Sequence, residues 1–307
     1  MKEKTFSPVV VFAFNRPDSL RNTITTLAAN AEASSTDLYV FVDGPRESKE
    51  GEATKVEAVR SYVATITGFR SVTHSFSETN KGLAPSIIAG VTKVLSHHPS
   101  AIIVEDDLVV ASNFLAFMNE MLVRHEKDAR IMQVTGFGPK VRRPKDYKWD
   151  VYLSERGLPW TWGTWADRWA TVDWDVKDFK ELKASRKLRR KFCKRGCDLY
   201  KMLADWRKGK NQSWFIRFNY SMYKQGRYCV CPIQSLVINE GFSADATNCK
   251  NYNRYKVDFD EKHYGPFALP VEPLQPDERL MRESVKYWTI RYRIYGKIMT
   301  YLRKLKR

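Results

Sequence analysis

Ala101-Ile102-Ile103-Val104-Glu105-Asp106-Asp107-Leu108-Val109-Val110-Ala111-Ser112 joins an apolar, mostly β-branched run to three consecutive carboxylates. Ala101 to Val104 reads as a buried strand. Three adjacent acids repel one another, so a fold that packs them against its core supplies a cation there. Hard divalent ions such as Mg2+ and Mn2+ favour carboxylate oxygens and keep positions open for substrate phosphates. In open α/β sheets, ligands bind just beyond the carboxyl ends of the strands. Taken alone, the triplet reads equally well as a solvated acidic turn ahead of a helix capped by Ser112 or Asn113. The surrounding chain has to choose.

Upstream, residues 9–14 form an apolar strand ended by Asn15-Arg16-Pro17, and Asp18 is placed to cap a helix with Leu20, Ile24, Leu27 and Ala31 on one face. Residues 38–42 give a second strand, again ending in an acid, Asp43, before Gly44-Pro45. A helix carrying Val56, Val59, Val63 and Ile66 follows, then an alternating strand over 69–76 and a helix with Ile87, Ile88, Val91, Val94 and Leu95. After the triplet, residues 113–127 form an amphipathic helix. This β-α-β-α-β-α-β order predicts an α/β fold with a mostly parallel, Rossmann-like sheet and right-handed crossovers. Asp43, Asn80, Lys81 and the triplet all follow strands, so they gather on the ligand-binding edge. No Gly-x-Gly-x-x-Gly follows the first strand and no phosphate-binding Gly-x-x-x-x-Gly-Lys-Ser/Thr occurs, which disfavours dinucleotide enzymes and P-loop NTPases.

The 307 residues carry a net charge of +17, which points to an anionic partner. Five cysteines, an odd number without a secretory segment, fit a reducing compartment, and their spacings match no common zinc pattern. The first apolar run is read as a strand rather than a signal peptide, and no stretch approaches the roughly 18 residues of a spanning helix. A soluble or peripheral protein is expected.

Past residue 130 the periodicity breaks down. Residues 131–136 read as one more strand. Residues 158–169 hold four tryptophans, Trp160, Trp162, Trp165 and Trp169, read either as an anchor between lobes or as an aromatic acceptor platform. Residues 177–210 are helical and very basic, 213–223 suit a buried helix, and 227–238 hold short strands around Pro232. Residues 285–307 contain no acid: Lys286, Arg293, Lys297 and Lys304 share one helical face, and Trp288, Tyr292, Tyr295, Met299 and Leu302 another. That pattern is an interfacial amphipathic helix on an anionic membrane surface, or a terminal helix packed on the domain.

Together these features resemble the GT-A glycosyltransferases, notably a bacterial family-2-like group and, more distantly, animal N-acetylglucosaminyltransferase I. Asn15-Arg16 and Asp43 at strand ends carry the resemblance, with Val-Glu-Asp-Asp-Leu ahead of Asn113-Phe114, Gly157-Leu-Pro-Trp160 opening a Trp-rich helix, and Gln225-Gly-Arg227. It spans residues 8–247. It implies that Asp107 binds Mn2+ (or Mg2+) bridging the donor diphosphate, Asp106 contacts the ribose and Glu105 approaches the donor sugar. It further implies that Asp43 holds the base with Arg16 nearby, that Asn80 and Lys81 border the nucleotide, and that three parts follow: a nucleotide-sugar-binding subdomain (1–136), an acceptor subdomain (137–250) with Trp160, Trp162 and Trp165, and a basic extension (251–307).

One departure concerns the general base. Phe215 and Ile216 stand where the family places a carboxylate, so Asp167 is the leading substitute, with Asp245 and Glu240 behind it. The expected activity is metal-dependent transfer of a sugar from a nucleoside-diphosphate donor to a saccharide or lipid-linked saccharide acceptor in bacterial surface polysaccharide assembly. The expected location is the cytoplasmic face of the membrane. The rivals are a sugar-nucleotide nucleotidyltransferase, which ordinarily has a Gly-rich loop after strand one, and a non-catalytic nucleic-acid-binding protein. Strand-end acids would repel a phosphate backbone, so no nucleic-acid partner is expected.

Overall fold

The computed structural model describes residues 6–241, 253, 255, 257–261, 265–271 and 273–305. The chain lays down β1 (Val9–Ala13), α1 (Pro17–Ala28), β2 (Asp37–Val42), α2 (Glu52–Val63), β3 (Ser71–Phe76), α3 (Leu83–Leu95) and β4 (Ser100–Glu105). β1 lies between β2 and β4, parallel to both, with Val11 opposite Val40 and Val104. Buried on both faces, it is apolar throughout, as central parallel strands must be. β3 is the partly exposed edge, and its sequence alternates accordingly. Helix α1 starts with Pro17 at its first turn and no side-chain cap; Asp18, expected as cap, instead sits inside that turn, where its charge suits the helix dipole.

The chain continues through β5 (Leu108–Val110), α4 (Phe114–Arg124), β6 (Ile131–Thr135), β7 (Val151–Ser154), β8 (Trp162–Trp165), α5 (Ala166–Ala170), α6 (Phe179–Ala184), α7 (Arg186–Cys193), α8 (Leu199–Arg207), α9 (Trp214–Lys224), β9 (Tyr228–Pro232), β10 (Val237–Asn239), α10 (Glu278–Ser284) and α11 (Ile290–Leu305). The main sheet runs β3-β2-β1-β4-β8-β6-β9-β7, and β5 pairs antiparallel with β10 beside it. The expectation of an α/β, Rossmann-like sheet flanked by helices is met, with parallel pairs from β3 to β4 and antiparallel ones beyond it at β8 and β7.

The region after 136 departs from expectation. Residues 162–165, expected in a helix, form a strand inserted antiparallel between β4 and β6. Gly163 permits this, since a Cβ there would meet Val134 at 3.1 Å and the Ala101 carbonyl at 3.3 Å. The boundary at 136 therefore does not divide the core, because β7, β8 and β9 complete the same sheet. The basic helices α6 to α8 cover a satellite core of Leu182, Phe192, Leu199 and Leu203. Arg156 pairs both its terminal nitrogens with Asp198 at 3.0 Å and stacks on Trp288 at 4.2 Å, which ties the C-terminal segment to this lobe.

Candidate active site

The carboxyl ends of β1, β2 and β4 open on a cavity of about 430 Å3 whose lining includes Arg16, Asp43, Lys81, Glu105, Asp106 and Asp107. The triplet is thus no solvated turn. Asp106 is buried, and Arg16, on the turn after β1, spans the acids: one terminal nitrogen donates to Asp107 Oδ2 at 3.0 Å and the other to Asp106 Oδ1. Burial pushes Asp106 up to about 6 despite this guanidinium. Burial, then the neighbouring acids, pushes Glu105 up to about 8. Burial works against the charge on Arg16, and the two carboxylates outweigh it, holding its pKa above the usual value.

Asp107 Oδ1 is buried and, among the described residues, has no hydrogen-bond partner. Gly241 closes over the same carboxylate, where a Cβ would lie 2.0 Å from Oδ2. A buried oxygen left without a donor fits a divalent ion. Among the described residues no three His, Cys, Asp or Glu side chains form a cluster able to hold one. The fit is therefore to an ion held by Asp107 with substrate phosphates completing its shell, the mode magnesium-like ions commonly use.

Asp43 is occupied differently from expectation. Its carboxylate accepts from the backbone N–H of Gly44 at 3.0 Å, Lys81 at 2.8 Å and Gly82 at 2.8 Å. Asn80 donates to the Gly44 carbonyl at 2.9 Å, so Asp43 and Asn80 fasten the loop that ends at α3. Asn15 donates to Glu52 at 3.1 Å, and Glu52 holds Arg46 through its backbone N–H at 2.8 Å and Nε at 2.9 Å. That arginine pulls Glu52 down to about 2. Arg46 and Lys93 line the cavity with Phe14 and Phe76, four residues the sequence reading missed. Only Arg46 carried a signal, three residues beyond a strand-end acid.

The acceptor expectations divide. Trp160 is half-buried at the cavity, edge-on to Phe137 at 4.5 Å and to Tyr255 at 5.3 Å. Thr161 after it has φ +46°, a strained setting for a β-branched residue that aims the chain into β8. Trp162 and Trp165 are core instead: Trp162 stacks on Trp214 at 4.8 Å, and Trp165 Nε1 donates to the Leu122 carbonyl at 3.1 Å.

Asp167 is corrected outright. Trp165 pairs with Ser100, the first residue of β4, whereas the triplet begins at its last, Glu105. Asp167 thus lies at the opposite sheet edge, about 17 Å away at strand spacing, with its side chain 71% exposed beside Arg168. Asn239 and Gly241 line the cavity, but Glu240 between them turns to α1 and accepts from Asn22 at 2.7 Å. Asp245 lies outside the described residues. Phe215 and Ile216 are buried.

No family model matches the sequence, and no curated protein is similar to it. Solved structures are. The mannosyltransferase PcManGT from Pyrobaculum calidifontis, in complex with GDP-Man and Mn2+, is 18% identical over 52% of this chain and 45% of that one, with a TM-score of 0.34. Two structures of S. aureus TarS are 12% and 11% identical over 76% of this chain, with TM-scores of 0.43 and 0.42. The chain spans 36% of one TarS chain and 61% of the other, which covers residues 1–349.

Proposed function

We propose that this protein is a divalent-metal-dependent glycosyltransferase that moves a sugar from a nucleoside-diphosphate donor to a saccharide acceptor. One observation carries the reading: Asp107, with a buried oxygen that has no partner among the described residues, closes the strand-end acids on the floor of a cavity ringed by cations. The resemblance of the Glu-Asp-Asp segment and its flanking motifs to GT-A enzymes supports it.

Asp107 would hold Mn2+ or Mg2+, which when bound supplies positive charge to the departing diphosphate. The chain's own groups do the rest. Arg46 and Lys81 border the cavity and offset the donor's charge. Asp43 and Asn80 fix the loop leading to α3, whose N-terminus faces the same edge and favours anions. Glu105 lines the cavity beside Asp106 and is the acid placed to approach the sugar. Trp160 offers a ring face for the acceptor.

In the finer reading the acceptor is lipid-linked and α11 rests on an anionic membrane on the cytoplasmic side during bacterial surface polysaccharide assembly. Ile290, Ile294 and Ile298, spaced four apart, are 66%, 53% and 52% exposed, and Tyr301 continues the stripe. Arg291 and Lys297 are exposed on the same helix. This is a different face from the one expected, because Trp288 is buried and Tyr292 packs on Tyr287 at 5.0 Å. Among the described residues no helix is long and apolar enough to cross a membrane.

Calorimetry with UDP, GDP and CMP, with and without Mn2+, tests the reading. One nucleotide is expected to bind in a Mn2+-dependent way, and Asp107→Ala is expected to weaken that binding at least ~100-fold. Asp167→Asn, at the far edge, is the control and binds normally. Binding by no nucleotide would end the enzyme reading, and release of pyrophosphate rather than nucleoside diphosphate would favour a nucleotidyltransferase.

A further inference from the structure

Arg16 already occupies the two carboxylates that face the cavity. Its terminal nitrogens go one to each acid, and among the described residues its side chain has no other hydrogen bond. Its side chain is 24% exposed and lines the cavity, so the guanidinium has room to leave. Asp107 meanwhile keeps its second oxygen unpartnered among the described residues. The same carboxylate thus has one oxygen on a resident cation and one that fits another.

We propose that Arg16 is an exchangeable counter-ion: it holds Asp106 and Asp107 in the absence of donor, opposes binding of a divalent ion alone, and is drawn off by the donor's diphosphate so that donor and metal bind cooperatively. This rests on the nucleotide-sugar reading above. The reasoning is charge balance. A guanidinium on one oxygen of Asp107 and a divalent ion on the other would set two cations against each other across a single carboxylate. The repulsion is large in a partly dry site. A diphosphate adds negative charge at the one place where both cations can share it, and Arg16 suits phosphate oxygens as well as carboxylates. The coupling is reciprocal, so the nucleotide tightens the metal by the factor by which the metal tightens the nucleotide.

Mn2+ binding measured by electron paramagnetic resonance, first alone and then with saturating GDP or UDP, tests the exchange without any turnover. The wild type is expected to bind Mn2+ weakly alone and at least ~10-fold more tightly with nucleotide. Arg16→Gln is expected to bind Mn2+ alone roughly 10-fold more tightly than wild type and to lose most of that coupling. Arg16→Lys, which keeps one charge but cannot span both acids, falls between and serves should the glutamine variant fail to fold. A variant whose Mn2+ affinity is unchanged or weaker, with coupling intact, overturns the exchange and leaves the glycosyltransferase reading standing. Failure of every protein to bind Mn2+ with any nucleotide overturns both.

Discussion

Asp107 and Arg16 show how much of a site rests on single atoms, and the tryptophans make the same point for the acceptor. Trp160 and Trp162 are two residues apart, yet one meets the cavity and the other is fully buried against Trp169 and Trp214. Trp160→Ala is expected to raise the acceptor KM about tenfold, ~1.4 kcal/mol, with Tm nearly unchanged. Trp162→Ala is expected to cost about 3–5 kcal/mol of stability and lower Tm by roughly 10 °C. Calorimetric melting beside acceptor kinetics separates the two; equal effects would mean that Trp160 is core. Both residues were legible as aromatic, but their roles were not. Trp162 pairs in the sheet opposite Ile103, and that partner is about sixty positions away in the chain.

At the scale of elements, the loop after β2 is held by Glu52 at the start of α2, which grips Arg46 and accepts from Asn15. Arg46 holds Glu52 below its ordinary pKa of 4.5, at about 2. A depressed acid stabilises the fold above its unfolded pKa and loses that contribution as pH falls through the folded one. The expected loss therefore runs from about pH 4.5 down to about pH 2. Glu52→Gln removes it: urea titrations should show lower stability than wild type at pH 7, with the gap closing as pH approaches 2. A gap that persists at pH 2 would refute the ion pair's part. Glu52 is buried although charged, and sequence offered no signal for it, because its partner lies across a turn rather than one helical turn away.

For the molecule as a whole, the proposed membrane contact rests on the placement of charge and apolar surface. The Ile290–Ile294–Ile298 stripe stands out from the domain beside basic side chains, while Arg156 and Trp288 hold the base of the helix in place. Replacing Ile294 and Ile298 together by Glu is expected to cut flotation with anionic liposomes about tenfold or more without changing nucleotide binding. Neutral liposomes should bind poorly and added salt should weaken the contact. Undiminished flotation of the double variant would move the contact elsewhere, with the basic helices α6 to α8 the next surface to test.

By itself the sequence determined the alternation of strands and helices through β4, and helix α4 after it but not the short β5 between them, because periodicity is local and each apolar face faces one continuous core. It also determined which strand ends bear acids, since a strand's terminus and the ligand edge of a parallel sheet coincide. Only the tertiary structure decided what those acids touch. Asp43 is spent on its loop and Asp106 on Arg16, whereas Asp107 keeps one oxygen unpartnered among the described residues. Only the tertiary structure, too, turned residues 162–165 into a strand and carried Asp167 to the far edge. The acids' partners, Arg16 and the loop before α3, come from other strand ends that only the folded sheet brings together. For β8 and Asp167 the reason is that an antiparallel insertion reverses the chain, a direction nothing within a short window records.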